Sequence, residues 1–443
     1  MTKEKVIIIG AGLSGSLLAI YLAKRGIKCE IYEARSDMRN EAMTAGRSIN
    51  LALSNRGISA LREVGLDEFM LAEAVPMFGR MIHDIAGNTK LLPYSGRKDE
   101  FINSVSRSGL NIALINKAEK YDGVKFHFNQ KCVDFDCNTG EAIFDSGKVE
   151  KGNTLIATDG AGSAVRLAMM NGGISRFNYS QDFLEHGYKE LHIPPTEDSN
   201  FRLEKNALHI WARHSFMMIA LPNFDGSFTC TLFIAHKNED SFEKITDKAS
   251  LLNFFETNFA DAIPLMPTLI EDFFTNPTGN LGTIKCFPWN VGGKALLLGD
   301  SAHAIVPFYG QGMNASFEDC RILNEMIEQQ GTNWAKIFDE FSRQRKPNAD
   351  AIADMAEENF YEMRDAVADP VFQRKRELET KLEQNFPDYF SKYSMVTFRE
   401  DLSYAVAKEK GNAQDKLLME ICANIDDVSE IDLNEVLEML KPI

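Results

Sequence analysis

The sequence predicts a mixed α/β (α+β overall) chain, and three observations carry that reading. Apolar strands stop at glycine-containing loops followed by helical patterns at three separate places; the middle of the chain alternates β-formers with polar residues; and from Asn333 onward the pattern is helical. With 443 residues, and roughly 100–200 residues per domain as the usual range, two or three domains are expected.

The first strand is Lys5–Ile9, followed by a helix over Leu13–Arg25 and, after a turn at Gly26, a second strand over Cys29–Glu33. That βαβ unit is half of a nucleotide-binding fold. A further apolar strand, Asn153–Ala157, ends at Thr158-Asp159-Gly160, and another, Ala295–Leu298, ends at Gly299-Asp300. From about Tyr188 to Phe287, as in Phe216–Leu221 and Ser227–Ile234, the texture predicts a mostly antiparallel sheet. In the helical remainder Pro347 predicts a kink or break, and Asp369-Pro370 a stop. Near the end, Leu433, Val436, Leu437 and Leu440 share one helical face among Asp432, Glu435 and Glu438. Such an acidic amphipathic helix is expected to dock on the protein, because a membrane-surface helix would favour lysine and arginine.

Composition excludes several classes. Acidic residues outnumber basic ones 64 to 48, for a net charge of −16, which repels nucleic-acid phosphates and anionic lipids where no basic patch intervenes. The seven cysteines form no CxxC pair and are widely scattered, as suits free thiols in a reducing cytosol and neither a disulfide framework nor a metal site. No secretory signal pattern opens the chain, and no stretch reaches the ~18 consecutive apolar residues of a membrane span. A cytoplasmic protein is expected; a homodimer stays open, since oligomeric state is not legible.

Gly10-Ala11-Gly12-Leu13-Ser14-Gly15 is a GxGxxG placed between a strand and a helix, the position its mechanism requires. Gly10 permits the tight turn, Gly12 lets the backbone approach a pyrophosphate, and Gly15 allows close helix–strand packing, with the helix N-terminus facing the phosphates. Glu33, at the end of the second strand, is placed to accept hydrogen bonds from ribose hydroxyls and disfavours a 2′-phosphate. This Rossmann-like unit does not distinguish NAD from FAD. Gly310-Gln311-Gly312-Met313-Asn314-Ala315 also matches the glycine pattern formally, but no strand directly precedes it. It reads as a loop into a helix N-terminus, able to stabilise negative charge.

The two later loops, Ala157–Arg166 and Leu298–His303, resemble the Asp-Gly and Gly-Asp motifs of single-component flavoprotein hydroxylases, and all three loops occur in that family's order. Longer strings resemble the kynurenine 3-monooxygenase family in particular: Gly46–Ser54, Gly187–Leu191, Leu208–Trp211, Met218–Asn223, Val306–Phe308 with Gly310–Asn314, and Tyr393–Phe398. The resemblance implies non-covalent FAD, NADPH and O2 as co-substrates, and L-kynurenine hydroxylated to 3-hydroxy-L-kynurenine through a flavin C4a-hydroperoxide. It implies a discontinuous FAD-binding domain over 1–75, 105–180 and 286–345, a substrate-binding sheet domain over 76–104 and 181–285, and a helical region, 346–443, closing the pocket.

Residue by residue, the resemblance places flavin contacts on Gly10, Gly12, Leu13, Ser14, Gly15, Glu33 and Arg35, then on Arg107, Asp159 and Gly160. Gly299 and Asp300 complete them with Pro307, Gly310, Gln311, Gly312, Met313 and Asn314. For the substrate it implies that Arg80 and Tyr94 grip a carboxylate, Arg80 through its planar fork. Asn359, Glu362, Met363 and Tyr393 would close the far side, with Glu362 near the substrate ammonium. Ile219, Leu221, Phe233, Pro307 and Phe308 would wall the ring. Tyr309 departs from residues common in the family and puts local pocket detail in doubt. His303, beside Asp300, reads as a structural hydrogen-bonding group, since the flavin carries the chemistry. No residue is expected to act as a strong acid or base. Another aromatic-acid hydroxylase, a non-hydroxylating flavoprotein and a nicotinamide-only dehydrogenase are the alternatives.

Overall fold

The computed structural model describes residues 4–40, 50–172, 174–365 and 369–441; Gly46–Ile49 of the first resemblance string lie outside them. A six-stranded sheet runs in the order Asn290–Val291, Ala295–Leu297, Thr154–Ala157, Lys5–Ile9, Lys28–Tyr32, Val124–His127. All its pairs are parallel except the short edge strand Asn290–Val291. Val6, Ile7, Ile8 and Ile156 are fully buried, the continuous apolar run expected of a parallel sheet covered on both faces. Because Lys5–Ile9, Thr154–Ala157 and Ala295–Leu297 are parallel neighbours, their C-terminal ends share one edge. The three loops singled out in the sequence therefore meet there.

A seven-stranded sheet follows the order Gly279–Phe287, Asn178–Ile193, Phe228–Ala235, Met217–Pro222, Ala207–Ala212, Gly79–His83, Thr89–Pro93. It is antiparallel apart from the pair Ala207–Ala212 with Gly79–His83. The mixed fold and the mostly antiparallel sheet are thus as predicted. One face packs on helices Lys248–Asn258 and Leu269–Thr275 through Trp211, Phe228, Phe255 and Phe259. The other faces helix Trp334–Arg364 through Ile210, Met217, Phe233 and Phe360.

Two elements differ from expectation. The long strand begins at Asn178, not near Tyr188, and pairs from there with Phe287. Its first half is polar and solvent-facing, so apolar alternation sets in only where it dives under the core. Pro347 neither breaks nor ends its helix, which runs unbroken over Trp334–Arg364. Pro347 is exposed, so the carbonyl it leaves without a donor faces water. The buried side of the helix is pinned next to it, where Arg345 Nε donates to Asp319 Oδ1 at 2.6 Å and Nη1 lies 2.6 Å from Glu318.

Beyond it come helices Pro370–Asn385, Lys392–Phe398, Tyr404–Ala423 and Leu433–Leu440. Asp369 caps the first of these, accepting from the amides of Val371 and Phe372. The last helix docks as expected, burying Val436 and Leu440 against Leu378, Leu382 and Leu418. Among the described residues no helix is long and apolar enough to cross a membrane.

Candidate active site

One cavity of about 820 Å³ joins the three nucleotide loops to the inner face of the seven-stranded sheet. Its nucleotide end is shaped by backbone conformation. Gly10 has φ +101°, and a Cβ there would lie 2.4 Å from the Thr158 carbonyl oxygen; a Cβ on Gly15 would lie 2.1 Å from the Gly10 oxygen. At Gly12, by contrast, a Cβ would meet no atom within 4 Å, so this face of the turn is open to a ligand. Glu33 is buried; its Oε2 accepts the Ala11 amide at 2.8 Å and its Oε1 accepts Arg35 Nε at 2.7 Å. Burial opposes its ionisation, but the bonds from Arg35 and Ala11 hold the carboxyl below its ordinary range. The loop therefore presents free backbone N–H groups beside a fixed carboxylate, a cradle that fits a pyrophosphate and an adenosine ribose.

The other two loops interlock. Asp159 accepts Ser301 Oγ at 3.0 Å and the Ala164 amide at 2.9 Å, while the Gly160 amide donates to the same hydroxyl at 3.0 Å. Asp300 is exposed to the cavity; desolvation by the surrounding protein pushes its carboxyl up, opposed only in part by His303 and Arg107. His303 Nε2 lies 2.6 Å from Asp319 Oδ2, away from the cavity and in the structural role expected of it. Leu13, Ser14, Arg35, Arg107, Pro307, Gly310, Gly312 and Met313 also line the cavity.

Gly15, Gly299, Gln311 and Asn314 do not line it. Gly299 forms the turn behind Asp300, at φ +62°. Gln311 Oε1 accepts Tyr404 Oη at 3.0 Å, and Asn314 bridges the Ser54 amide and the Ala52 and Gly310 carbonyls at 2.8–3.0 Å. Their side chains hold the loop that leads into helix Gly312–Gln330, whose N-terminus faces the cavity.

At the other end, β-pairing aligns the wall. Arg80, Leu208 and Leu221 sit in one cross-strand row; Ile219, Thr231 and Glu190 form the next; Phe233 and Tyr188 the third. Phe308 packs on Phe233 with ring centroids 4.9 Å apart. The Tyr94 and Tyr393 rings stack at 5.0 Å and 8°, and Tyr309 stacks on Tyr393 from the side at 5.5 Å. The Arg80 guanidinium lies 5.2 Å from the Tyr393 ring and 6.0 Å from the Tyr94 ring. Its Nη1 donates to Glu362 Oε1 at 3.1 Å and its Nη2 to Asn359 Oδ1 at 3.4 Å. Burial works against the Arg80 charge, but Glu362 and the two tyrosines outweigh it and raise the guanidinium pKa further. Tyr94 Oη is buried and has no hydrogen-bond partner among the described residues.

All the substrate residues implied by resemblance converge here, with one distinction. Met363 lines the cavity, whereas Asn359 and Glu362 stand behind Arg80 in an adjoining polar pocket of about 30 Å³. The sequence reading did not single out the wall residues Tyr188, Glu190, Leu208 and Thr231. Period-two alternation from Phe233 would have found Thr231, whereas Tyr188, Glu190 and Leu208 lie on neighbouring strands and follow only from the pairing register. Among the described residues no group of three or more His, Cys, Asp or Glu could hold a metal ion.

Cys132 is the cysteine on the cavity wall, and burial, with Asp159 nearby, pushes its thiol up to about 12. At neutral pH it stays protonated and a poor nucleophile. Acid precipitation is therefore expected to release all bound flavin into the supernatant. Yellow colour retained in a washed pellet would show a covalent link.

Residues 3–356 match the FAD binding domain family. Among solved structures, a tetrameric 2-methyl-3-hydroxypyridine-5-carboxylic acid oxygenase superposes with a TM-score of 0.68 at 19% identity, over 84% of this chain and 97% of that one. A Klebsiella pneumoniae HpxO variant complexed with FAD gives 0.68 at 20% identity, over 86% and 97%. These share the fold. In sequence, the chain is 45% identical to the kynurenine 3-monooxygenase of Myxococcus xanthus, over 99% of this chain and 95% of the relative. It is 45% identical to that of Flavobacterium johnsoniae, over 99% of both chains, and 43% identical to that of Anopheles gambiae, over 94% and 86%. With the flavin loops and the arginine–tyrosine end of the cavity both in place, similarity of this depth along nearly the whole chain makes it a member of the kynurenine 3-monooxygenase family of FAD-dependent hydroxylases.

Proposed function

We propose that the protein hydroxylates the aromatic ring of L-kynurenine ortho to its amine, giving 3-hydroxy-L-kynurenine with NADPH and O2. The observation that carries the reading is the Arg80–Tyr94 end of the cavity. A buried guanidinium there stands beside a buried hydroxyl that lacks a partner, across an apolar wall from the nucleotide loops. An orphaned buried hydroxyl is costly in a folded protein, and a carboxylate lodged between it and Arg80 would satisfy both groups.

In this reading Gly10–Ser14, Glu33, Arg35, Asp159, Gly160 and Asp300 hold FAD, which when bound takes electrons from NADPH and activates oxygen. Arg80 and Tyr94 anchor the amino-acid carboxylate, while Ile219, Leu221, Phe233, Pro307 and Phe308 hold the ring and exclude water. Glu362 keeps Arg80 oriented through their ion pair at 3.1 Å. The ring amine already donates electron density to the attacked carbon, so the side chains are asked to position and dry the site. Seven cysteines without a disulfide among them support a reducing, cytoplasmic setting.

The test is direct. Purified flavoprotein given kynurenine, NADPH and O2 should yield a product heavier by one oxygen atom, in step with NADPH consumed. NADPH oxidation that yields only hydrogen peroxide with kynurenine, but an oxygenated product with another aromatic acid, would reassign the substrate.

A further inference from the structure

Helix Pro370–Asn385 passes behind the arginine–tyrosine end of the cavity and buries two carboxylates: Glu379 pairs with Lys375 and Arg376 of the same helix, whereas Glu383 reaches the neighbouring loops. Among the described residues Glu383 makes its hydrogen bonds and ion pair with groups other than Arg80 and the two stacked tyrosines. Its Oε2 accepts the Gly96 amide at 2.8 Å, and its Oε1 accepts the Ser391 amide at 2.9 Å. Gly96 lies two residues after Tyr94, and Ser391 two residues before Tyr393. One carboxylate thus bridges the two backbone segments that deliver the stacked rings.

The surroundings support the bridge. A Cβ on Gly96 would lie 2.5 Å from the Thr380 carbonyl oxygen and 3.0 Å from the Gln384 amide nitrogen, so the loop sits flush on the helix. Arg97 Nη1 is 3.8 Å from Glu383 Oε1, and its Nη2 donates to the Pro387 and Tyr389 carbonyls. Arg376 Nη2 donates to the carbonyls of Pro93 and Tyr94 at 3.3 and 3.4 Å. The Ser391 hydroxyl caps the next helix, accepting from Ser394 at 3.2 Å.

We infer that Glu383 is a positioning residue for substrate-carboxylate recognition, fixing the loop that carries Tyr94 in register with the helix that carries Tyr393. The inference rests on the reading of Arg80 and Tyr94 as the carboxylate grip. A carboxylate suits the task because it accepts on both oxygens. An amide at the same place has one accepting oxygen, and its NH2 would face a backbone N–H, donor against donor. Glu383→Gln therefore frees one of the two segments while keeping size and shape.

The experiment is a double-mutant cycle with Tyr94→Phe, read in kynurenine-dependent NADPH oxidation together with flavin content and hydrogen peroxide release. E383Q alone is expected to raise the KM for kynurenine about tenfold, as the loss of one buried hydrogen bond would. FAD content should stay full, and a larger share of NADPH should be diverted to peroxide. In the Y94F background the same change should raise KM by less than about twofold, because the group it positions is gone. Equal KM factors in both backgrounds would overturn the inference while leaving the grip intact, and so would loss of flavin with KM unchanged. A Y94F variant with unaltered KM would overturn the grip itself and the inference with it. If E383Q does not accumulate as folded protein, Glu383→Asp, one methylene short of reaching both amides, gives the same comparison.

Discussion

Arg80→Ala is expected to raise the apparent KM for kynurenine by roughly 30-fold to several thousand-fold, with FAD still fully bound. The guanidinium is buried, near an orphaned tyrosine hydroxyl and beside two stacked aromatic rings. Removing one partner of a desolvated charge pair typically costs about 2–5 kcal/mol, at about 1.4 kcal/mol per decade of affinity. Part of that cost falls on Glu362, which loses its ion-pair partner at 3.1 Å. Arg80→Lys should also be impaired, because an ammonium cannot bond Glu362, Asn359 and a carboxylate in one plane. Kynurenine-dependent NADPH oxidation over a wide substrate range, with flavin quantified in parallel, makes the measurement. A wild-type KM in R80A would show that the carboxylate is held elsewhere.

Gly12→Val should abolish flavin binding while leaving a folded chain. Gly12 has φ −70°, a value any residue adopts, and its Cβ position is open, so valine strains nothing in the protein. Its branched side chain would instead stand in the space a pyrophosphate must enter. Gly15→Ala should behave in the opposite way, losing thermal stability first, because its methyl would press on the Gly10 carbonyl. Flavin absorbance per mole of protein, set beside the unfolding midpoint of each apoprotein, separates the two. Full flavin content in G12V would remove this loop from the binding site.

The contrast between these glycines shows what kind of information the sequence carried. The nucleotide loops were legible because strand, turn and helix follow one another within about a dozen residues, so spacing alone specifies the geometry. The sheet was legible where one of its faces is buried, and illegible over the exposed first half of the strand beginning at Asn178. Resemblance placed Arg80, Tyr94 and Tyr393 together, but nothing local in the sequence says that Glu362 and Asn359 would stand behind the arginine. Nor does it say that Gln311 and Asn314 would turn away from the cavity to brace their own loop. The break read at Pro347 does not form: the helix continues to Arg364, and the ion pairs of Arg345 with Glu318 and Asp319 on the preceding helix lie outside any local window of sequence.

That unbroken helix acts as a ruler between the two ends of the cavity. At one point Arg345 is tied to Asp319, which in turn meets His303 and the Gly299 amide beneath the third nucleotide loop. Roughly 26 Å further along, at about 1.5 Å per residue, Glu362 meets Arg80. The spacing between cofactor floor and substrate anchor is therefore set by residue count. One residue inserted between Arg345 and Asn359 would advance the far end by about 1.5 Å and turn it by about 100°, swinging Asn359 and Glu362 away from Arg80 and Met363 off the cavity while leaving every loop sequence intact. Length in this segment is as much a part of the site as any side chain that lines it.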